Sequence, residues 1–197
     1  MNWLCMDTTT TFLTLGILQD GRVLGKIQEK CWKKQSEEIF PCLIRLFDEC
    51  GMTPDDIDGI VISRGPGSYT GVRIAMSIAK VYASQKNLPL YTVSTLQLYA
   101  GKEDNCLVLV DARGGRAYTA VYDRGLLQGE EQAVPVQEIA AGDRKVIGDG
   151  HLIGAEDVYP DLVEHFLALK EDWLPVENVH LLVPEYLKPA AAYMVKK

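Results

Sequence analysis

The sequence lacks any apolar run long enough to cross a membrane. Its longest purely apolar stretches are about five residues, whereas a spanning helix needs about 20. The first residues, Met1 to Asp7, carry no basic segment, and Asp7 interrupts their apolar run, so we expect no signal peptide. We therefore expect a protein that works in the cytoplasm and has no membrane partner.

Cysteine and histidine are scarce, and their spacing disfavours disulfide and metal chemistry. The five cysteines are odd in number and contain no C-x-x-C pair, which is typical of buried free thiols: Cys5, Cys31, Cys42, Cys50 and Cys106. The three histidines share no i,i+4 spacing and have no cysteine partners: His151, His165 and His180. We expect neither a histidine metal site nor a catalytic triad.

Basic residues are outnumbered, 20 against 27 acidic residues, for a net charge of −7. Nucleic-acid binding needs a clustered basic surface to neutralise phosphates, so this chain is not expected to bind nucleic acid unaided. A role in a nucleic-acid pathway would then depend on a basic partner.

What is present is the composition of a globular protein. The chain has 197 residues, of which 47% are hydrophobic and 24% charged, enough for one large or two small domains. Three strands joined by short turns are predicted from Trp3 to Gln28. Near Cys106 the pattern of a strand, an aspartate, a turn and a second strand recurs, which places Asp111 104 residues after Asp7 and indicates a duplicated unit. We place the boundary in the polar stretch after residue 101, giving domains 1–101 and 102–197.

Two predicted helices have unusually wide apolar faces. Over residues 36–50 the apolar positions cover roughly 200° of the helix, and over residues 69–86 roughly 240°, against about 100° for an ordinary surface helix. Ser36 is a candidate N-cap, Pro41 predicts a kink or a late start, and Gly51 predicts the end of the first helix. Such helices need a second covering surface, from this chain or from a partner.

Two loops invite a nucleotide hypothesis. Asp7, Thr8 and Thr9 follow a strand and could hold magnesium and phosphate, or could simply satisfy turn backbone. The segment from Gly65 to Gly71 (GPGSYTG) joins a strand to a helix but matches neither the Walker A nor the G-x-G-x-x-G pattern. Its glycines permit either close approach of an anion or tight packing against protein.

These motifs together resemble the TsaB (YeaZ) family of bacterial tRNA threonylcarbamoyladenosine biosynthesis proteins. The resemblance covers nearly the whole chain. The matching segments are Met6 to Thr9, Gln35 to Glu37, Ser63 to Arg73, Val110 to Arg113 and Pro184 to Leu187. Gln35 stands where the family commonly has histidine.

The resemblance implies an α/β, actin/hexokinase/Hsp70-like (ASKHA, ribonuclease H-like) fold of two lobes with mixed sheets and flanking helices. It also implies a non-catalytic subunit that binds and activates the related TsaD threonylcarbamoyltransferase, with TsaE as a further partner and a homodimer in isolation. The H-x-x-x-H metal pair of TsaD is absent from this sequence. We expect no catalytic residue, metal or cofactor of its own, contact with tRNA only through the complex, and any ATP or ADP with Mg at the complex with TsaD.

In this family the two helices beside the Gln35 and Gly65 motifs form the partner surface. The resemblance and the wide apolar faces therefore select the same interface candidates: Ser36, Glu37, Phe40, Ile44, Tyr69, Arg73 and Met76. A charge at Met76 is predicted to abolish pairing and leave the monomer folded.

Three alternatives remain at this stage. An ATP-dependent ASKHA phosphotransferase would use Asp7 for Mg·ATP and a carboxylate such as Asp111 as base. An M22-like metallopeptidase would need paired histidines, which are missing. A self-sufficient homodimer would bury its helices only against each other.

Overall fold

The computed structural model describes residues 1–31 and 33–188. Its ten strands and four α-helices follow one another as β1 Asn2–Asp7, β2 Phe12–Gln19, β3 Arg22–Lys30, α1 Gln35–Cys50, β4 Gly59–Ser63, α2 Gly71–Lys86, β5 Leu90–Val93, α3 Thr95–Ala100, β6 Cys106–Asp111, β7 Arg116–Asp123, β8 Leu126–Pro135, β9 Lys145–Gly148, α4 Leu162–Ala168 and β10 Leu174–Pro175.

The strands form two mixed sheets. The first has the order β10-β5-β4-β1-β2-β3, and the second has the order β8-β7-β6-β9. In the first sheet β1 pairs antiparallel with β2, with Leu4 opposite Ile17, and parallel with β4, with Leu4 opposite Ile60. The predicted antiparallel meander of β1, β2 and β3 is confirmed.

The two sheets repeat one topological unit. Strands β1, β2 and β3 begin at residues 2, 12 and 22, and strands β6, β7 and β8 begin 104 residues later, at 106, 116 and 126. As β4 pairs parallel with β1, so β9 pairs parallel with β6. The second copy has only a 3₁₀ turn, Val136–Glu138, where the first copy has α1. The predicted duplication is confirmed, and the second half is the smaller one because that helix is missing.

One apolar core lies between the two sheets. It contains Trp3 from β1, Val108 from β6, Leu96 from α3 and Phe166 from α4, all buried. A second core fills the outer face of the first sheet, under α1 and α2. The order of layers is therefore helix pair, first sheet, shared core with α3 and α4, and second sheet.

The boundary placed after residue 101 stays a prediction. The chain does pass from the first sheet to the second between α3 and β6. However, β10 returns to the first sheet, where Leu174 pairs with Thr92 of β5. The last part of the second half of the chain thus packs on the first sheet.

The helix ends differ from the prediction in detail. Ser36 is not the N-cap, because α1 begins one residue earlier, with Lys34 in the cap position and no side-chain cap bond. The helix runs through Pro41 and stops at Gly51, whose left-handed backbone (φ 61°) confirms the predicted end. Helix α2 begins at Gly71 rather than at residue 69.

Candidate protein-interaction surface

Helices α1 and α2 lie side by side on the outer face of the first sheet. The inward face of α1 is apolar beyond Gln35, with Ile39, Leu43 and Leu46 in the core under the helices. The outward face carries exposed polar and charged residues, but among them two large apolar side chains also face solvent, Phe40 at 58% and Ile44 at 63% exposure. These two residues are one helical turn apart, so they form one patch on the side away from the sheet.

The wide apolar face of α2 is only partly covered, and the cover comes from this chain. Val179 and Leu182, near the end of the described residues, pack against the core under α2. The Lys80 amino group donates to the carbonyl oxygens of His180 (3.1 Å) and Leu182 (2.8 Å), which holds that segment in place. Val81, the next residue of α2, remains 64% exposed.

Met76 is wrongly placed by the sequence prediction. Its side chain is 3% exposed and belongs to the core between α2 and the first sheet. It is not available to a partner, and a glutamate there would put a charge into the core instead of an interface. The helical arc identified Met76 as apolar but did not distinguish the two sides of the helix.

Tyr69 and Arg73, two other predicted interface residues, are held by a third residue. The rings of Tyr69 and Tyr186 stack at 5.4 Å between centroids. The Arg73 guanidinium lies over both rings, 3.8 Å from the Tyr69 centroid and 5.5 Å from that of Tyr186. The predicted pair therefore belongs to an intrachain aromatic–cation cluster beside the start of α2.

Ser36 and Glu37 are exposed at the start of α1, as an interface role requires. Ser36 lines a cavity of about 270 Å³ together with Ser68, Thr70 and Ile74, between the amino-terminal ends of α1 and α2. Gln35 is buried, and its side-chain amide donates to the Thr10 carbonyl oxygen at 2.9 Å. That bond fixes the first turn of α1 to the loop after β1.

The Gly65 to Gly71 loop packs tightly on the loop that follows β1. A Cβ atom on Gly67 would lie 2.4 Å from the Thr9 carbonyl oxygen, and one on Gly71 would lie 2.2 Å from the Thr8 carbonyl oxygen. The Ser68 backbone N–H donates to the Thr9 carbonyl oxygen at 2.7 Å. Of the two interpretations left open for these glycines, the structure shows close packing against the protein's own backbone.

Asp7, Thr8 and Thr9 are buried beneath that loop. The Thr8 hydroxyl donates to the Gly71 carbonyl oxygen at 2.6 Å, and the Thr9 hydroxyl donates to Asp7 Oδ1 at 2.6 Å. Ser63 also donates to Asp7 Oδ1. In this conformation, these three residues therefore expose no hydroxyl or carboxylate that could bind a phosphate or magnesium ion.

Burial sets the electrostatics of Asp7. Removal from water raises the pKa of its carboxyl above the ordinary value, and the hydrogen bonds from Ser63 and Thr9 oppose that rise. The second oxygen, Oδ2, is buried and accepts no hydrogen bond.

Asp111, the repeat counterpart of Asp7, binds its own turn. Its carboxylate accepts from the Arg113 backbone N–H at 2.8 Å and pairs with the Arg113 guanidinium at 2.6 Å. Its backbone N–H donates to Asp149 Oδ2 at 2.7 Å. The Asp111 to Arg113 segment is thus a closed structural turn on the second sheet.

The sequence prediction missed Glu185 and Tyr186 as elements of this surface. Glu185 Oε2 accepts from Arg64 Nε at 2.6 Å, and the Glu185 backbone N–H donates to the Arg64 carbonyl oxygen at 2.8 Å. The matching segments Ser63 to Arg73 and Pro184 to Leu187 are therefore in contact, although more than 100 residues separate them. The presence of both segments in one sequence was the available signal for Glu185 and Tyr186. Neither segment alone indicates where the other lies in the fold.

Metal and membrane features are both missing from the residues that the structure describes. Within residues 1–31 and 33–188, no group of three or more histidine, cysteine, aspartate or glutamate side chains is arranged to hold a metal ion. Over the same residues, no helix combines the length and apolarity needed to cross a membrane.

Comparison with known proteins agrees with this geometry. A family model described as TsaD, tRNA N6-adenosine threonylcarbamoyltransferase, matches residues 24–147. The tRNA threonylcarbamoyladenosine biosynthesis protein TsaB of Bacillus subtilis (strain 168) is 31% identical over 226 aligned residues, covering 98% of this chain and 96% of that protein. The protein of the same name from Escherichia coli (strain K12) is 32% identical, covering 98% of this chain and 87% of the relative.

Solved structures give the same result. YeaZ from Pseudomonas aeruginosa superimposes with a TM-score of 0.77 at 25% identity, covering 94% of this chain and 99% of that chain. A second Pseudomonas aeruginosa structure, described as an uncharacterized protein with similarity to peptidase YEAZ, gives a TM-score of 0.82 at 25% identity, covering 95% and 99%.

Two mixed sheets related by an internal repeat, with a helix pair outside the first, define the class as an α/β fold of the ASKHA superfamily. Within that class, the chain belongs to the TsaB (YeaZ) family.

Proposed function

We propose that this chain is a non-catalytic subunit of the complex that forms N6-threonylcarbamoyladenosine in tRNA, and that it binds and activates the TsaD threonylcarbamoyltransferase. Its relatives from Bacillus subtilis and Escherichia coli carry the name of that biosynthesis. The observation that carries the docking part of the proposal is the exposed patch of Phe40 and Ile44 on α1, beside α2.

The docking surface of the proposal contains α1, α2 and the loop before α2. Neighbouring exposed apolar side chains mark sites of protein contact, and full burial of each one is worth about 1.5–3 kcal/mol. Ser36 and Glu37 in the first turn of α1, and Tyr69 and Arg73 at the start of α2, lie where the amino-terminal ends of the two helices meet. Tyrosine and arginine are among the residue types that contribute most to binding.

TsaD suits this surface because it is a related chain. The TsaD family model matches residues 24–147, a range that includes α1 and α2, and we infer from this that TsaD carries a similar pair of outer helices. A second copy of this chain would offer the same helix pair, and we expect a homodimer when TsaD is absent. TsaE is proposed as a further subunit of the same complex.

The tRNA is expected to contact the complex and not this chain directly, because a net charge of −7 opposes binding to phosphates. We propose no cofactor for the isolated chain, since Asp7, Thr8 and Thr9 are buried and bonded within the protein. ATP or ADP with Mg would then bind where the assembled subunits meet.

The test is a charge placed in the patch. Ile44→Glu is expected to weaken binding to TsaD at least 100-fold, because a carboxylate without a partner would be buried at the interface. The monomer should keep its stability, since the Ile44 side chain points to solvent. Affinity would be measured by calorimetry, with thermal unfolding of each variant alongside.

The matched control is Leu126→Glu. Leu126 is 64% exposed, like Ile44, but lies on β8 of the second sheet. It should bind TsaD as the wild-type chain does. Wild-type affinity for Ile44→Glu would exclude the helix pair as the docking surface.

A further inference from the structure

The last described residues, Leu174 to Lys188, form one continuous segment over the helix layer, which we call the C-terminal strap. It begins as β10, which pairs with β5, and the Val176 backbone N–H extends the ladder to the Leu90 carbonyl oxygen at 2.9 Å. Its start is therefore fixed to the edge of the first sheet.

The strap then crosses α2. The Lys80 amino group bonds to the carbonyl oxygens on both sides of Leu181, those of His180 and Leu182. Leu182 is turned inward to the core, whereas Leu181 is 74% exposed and Val183 is 70% exposed. Two apolar side chains thus face solvent directly beside α2, which itself exposes Val81.

Beyond α2 the strap binds the loop that precedes this helix. Glu185 makes an ion pair and a backbone hydrogen bond with Arg64, at 2.6 and 2.8 Å. Tyr186 stacks on Tyr69, and Arg73 lies over both rings. The side chain of Lys188 finally donates to the carbonyl oxygens of Ala112 and Arg113 on the second sheet.

We propose that the C-terminal strap is a working part of the partner surface. Tyr186 is a positioning residue that fixes Tyr69 and Arg73 in their binding arrangement, and Leu181 and Val183 extend the apolar surface of the helix pair. The occupant is the same TsaD-related chain that docks on α1 and α2. This inference rests on the proposed function and adds a second segment to its binding site.

Two observations favour this role over that of a simple cover. A cover would turn its apolar side chains inward, but the strap leaves Leu181 and Val183 exposed on either side of Leu182, whose carbonyl oxygen is bonded to Lys80 of α2. In addition, a side chain that is already ordered loses less conformational entropy on binding, and stacking under a guanidinium orders Tyr69 before the partner arrives.

The experiment compares three variants of the full chain by calorimetry with TsaD. Tyr186→Leu removes the stacking ring and is expected to weaken binding about 10-fold. Tyr186→Phe keeps the ring and should restore wild-type affinity. The control is Tyr159→Leu, since Tyr159 also packs on an aromatic ring, that of Phe12 at 4.9 Å, with Lys30 over it, but lies away from the strap.

The proposal is overturned if Tyr186→Leu binds as tightly as the wild-type chain, or if Tyr159→Leu weakens binding equally. A second measurement needs no variant: hydrogen–deuterium exchange of residues 180–187 should slow when wild-type chain binds TsaD, and unchanged exchange there would also overturn it. Ile44→Glu separates the two proposals. If Ile44→Glu loses binding while Tyr186→Leu binds normally, the proposal for the strap fails and the proposal for the helix pair stands.

Discussion

At the scale of single residues, burial decides which polar groups act in binding and which hold the fold. Asp7 is the clearest case, because it lies at the end of a strand where a catalytic carboxylate would be expected, yet it is fully buried. Its partners, Ser63 and Thr9, are themselves buried, so the group stabilises a junction between β1 and β4 instead of meeting solvent.

The pKa of Asp7 gives a pH dependence with a defined sign. Because that pKa is raised in the folded chain, the folded state keeps a proton that the unfolded state has released at any pH between the two pKa values. The contribution of Asp7 to the free energy of unfolding therefore falls as pH rises from its unfolded pKa, about 3.9, to the folded value, and stays low above it. Each unit of difference is worth about 1.4 kcal/mol.

Asp7→Asn cannot titrate, and its carbonyl can still accept from Thr9 and Ser63. Urea denaturation from about pH 4 to about pH 8 should show the stability of the wild-type chain falling relative to Asp7→Asn as pH rises. Asp56 is the control with opposite sign, because hydrogen bonds from the Thr53 backbone and side chain lower the pKa of its carboxyl. A pH-independent difference for Asp7→Asn would contradict this account.

At the scale of elements, the start of α2 is set by backbone contact with the end of β1. Gly71, its first residue, lies so close to the Thr8 carbonyl oxygen that a methyl group cannot be inserted without moving one of the two backbones. The same helix carries Arg73 and Val81 outward, so this contact fixes the height and rotation of half of the proposed partner surface.

Gly71→Ala should therefore destabilise the fold by about 1–3 kcal/mol, in the range for overpacked sites. Gly25→Ala is the comparison, since its Cβ would meet the Cys50 sulfur at 2.3 Å, the end of a side chain that can rotate away. Urea denaturation would measure both. Equal losses, or a smaller loss for Gly71→Ala, would show that the backbone contact is not the constraint described.

At the scale of the whole molecule, the two sheets share one core and should unfold together. Trp3 of β1 and Trp173, just before β10, are 5.2 Å apart at the ring centroids in that core, and Phe166 of α4 is fully buried there. Neither sheet can lose its packing without exposing apolar surface of the other.

Phe166→Ala should lower the free energy of unfolding by about 3–5 kcal/mol. Tryptophan fluorescence and far-ultraviolet circular dichroism should report the same shifted urea midpoint. Two separate midpoints in either protein would mean that the lobes are independent folding units.

The sequence predicts much of this architecture, and its wrong placement of Met76 and its omission of Tyr186 share one cause. The strand alternation of β1 to β3 and the stop at Gly51 are local patterns, the 104-residue repeat is a likeness between two local patterns, and each is confirmed. Met76 was assigned to the interface because periodicity measures polarity around a helix and not what covers each side. The cover of α2 comes from Leu182 and its neighbours, about 100 residues later.

Tyr186 illustrates the same limit. Its role depends on contact with Tyr69 and Arg73, and no spacing rule connects residues so far apart. The family resemblance includes both segments, Ser63 to Arg73 and Pro184 to Leu187, but only the structure shows that they are in contact. Phe40 and Ile44 are exposed in the structure, and their role as partner contacts stays a prediction.

The central claim is that the α1–α2 surface activates TsaD, and its most direct test is a reconstituted modification reaction. N6-threonylcarbamoyladenosine formed in tRNA would be quantified by mass spectrometry with TsaD, TsaE and either the wild-type chain, Ile44→Glu or Leu126→Glu. We predict full product with the wild-type chain and with Leu126→Glu. With Ile44→Glu, we predict only as much product as a reaction from which this chain is left out. Equal product with Ile44→Glu and the wild-type chain would contradict the account.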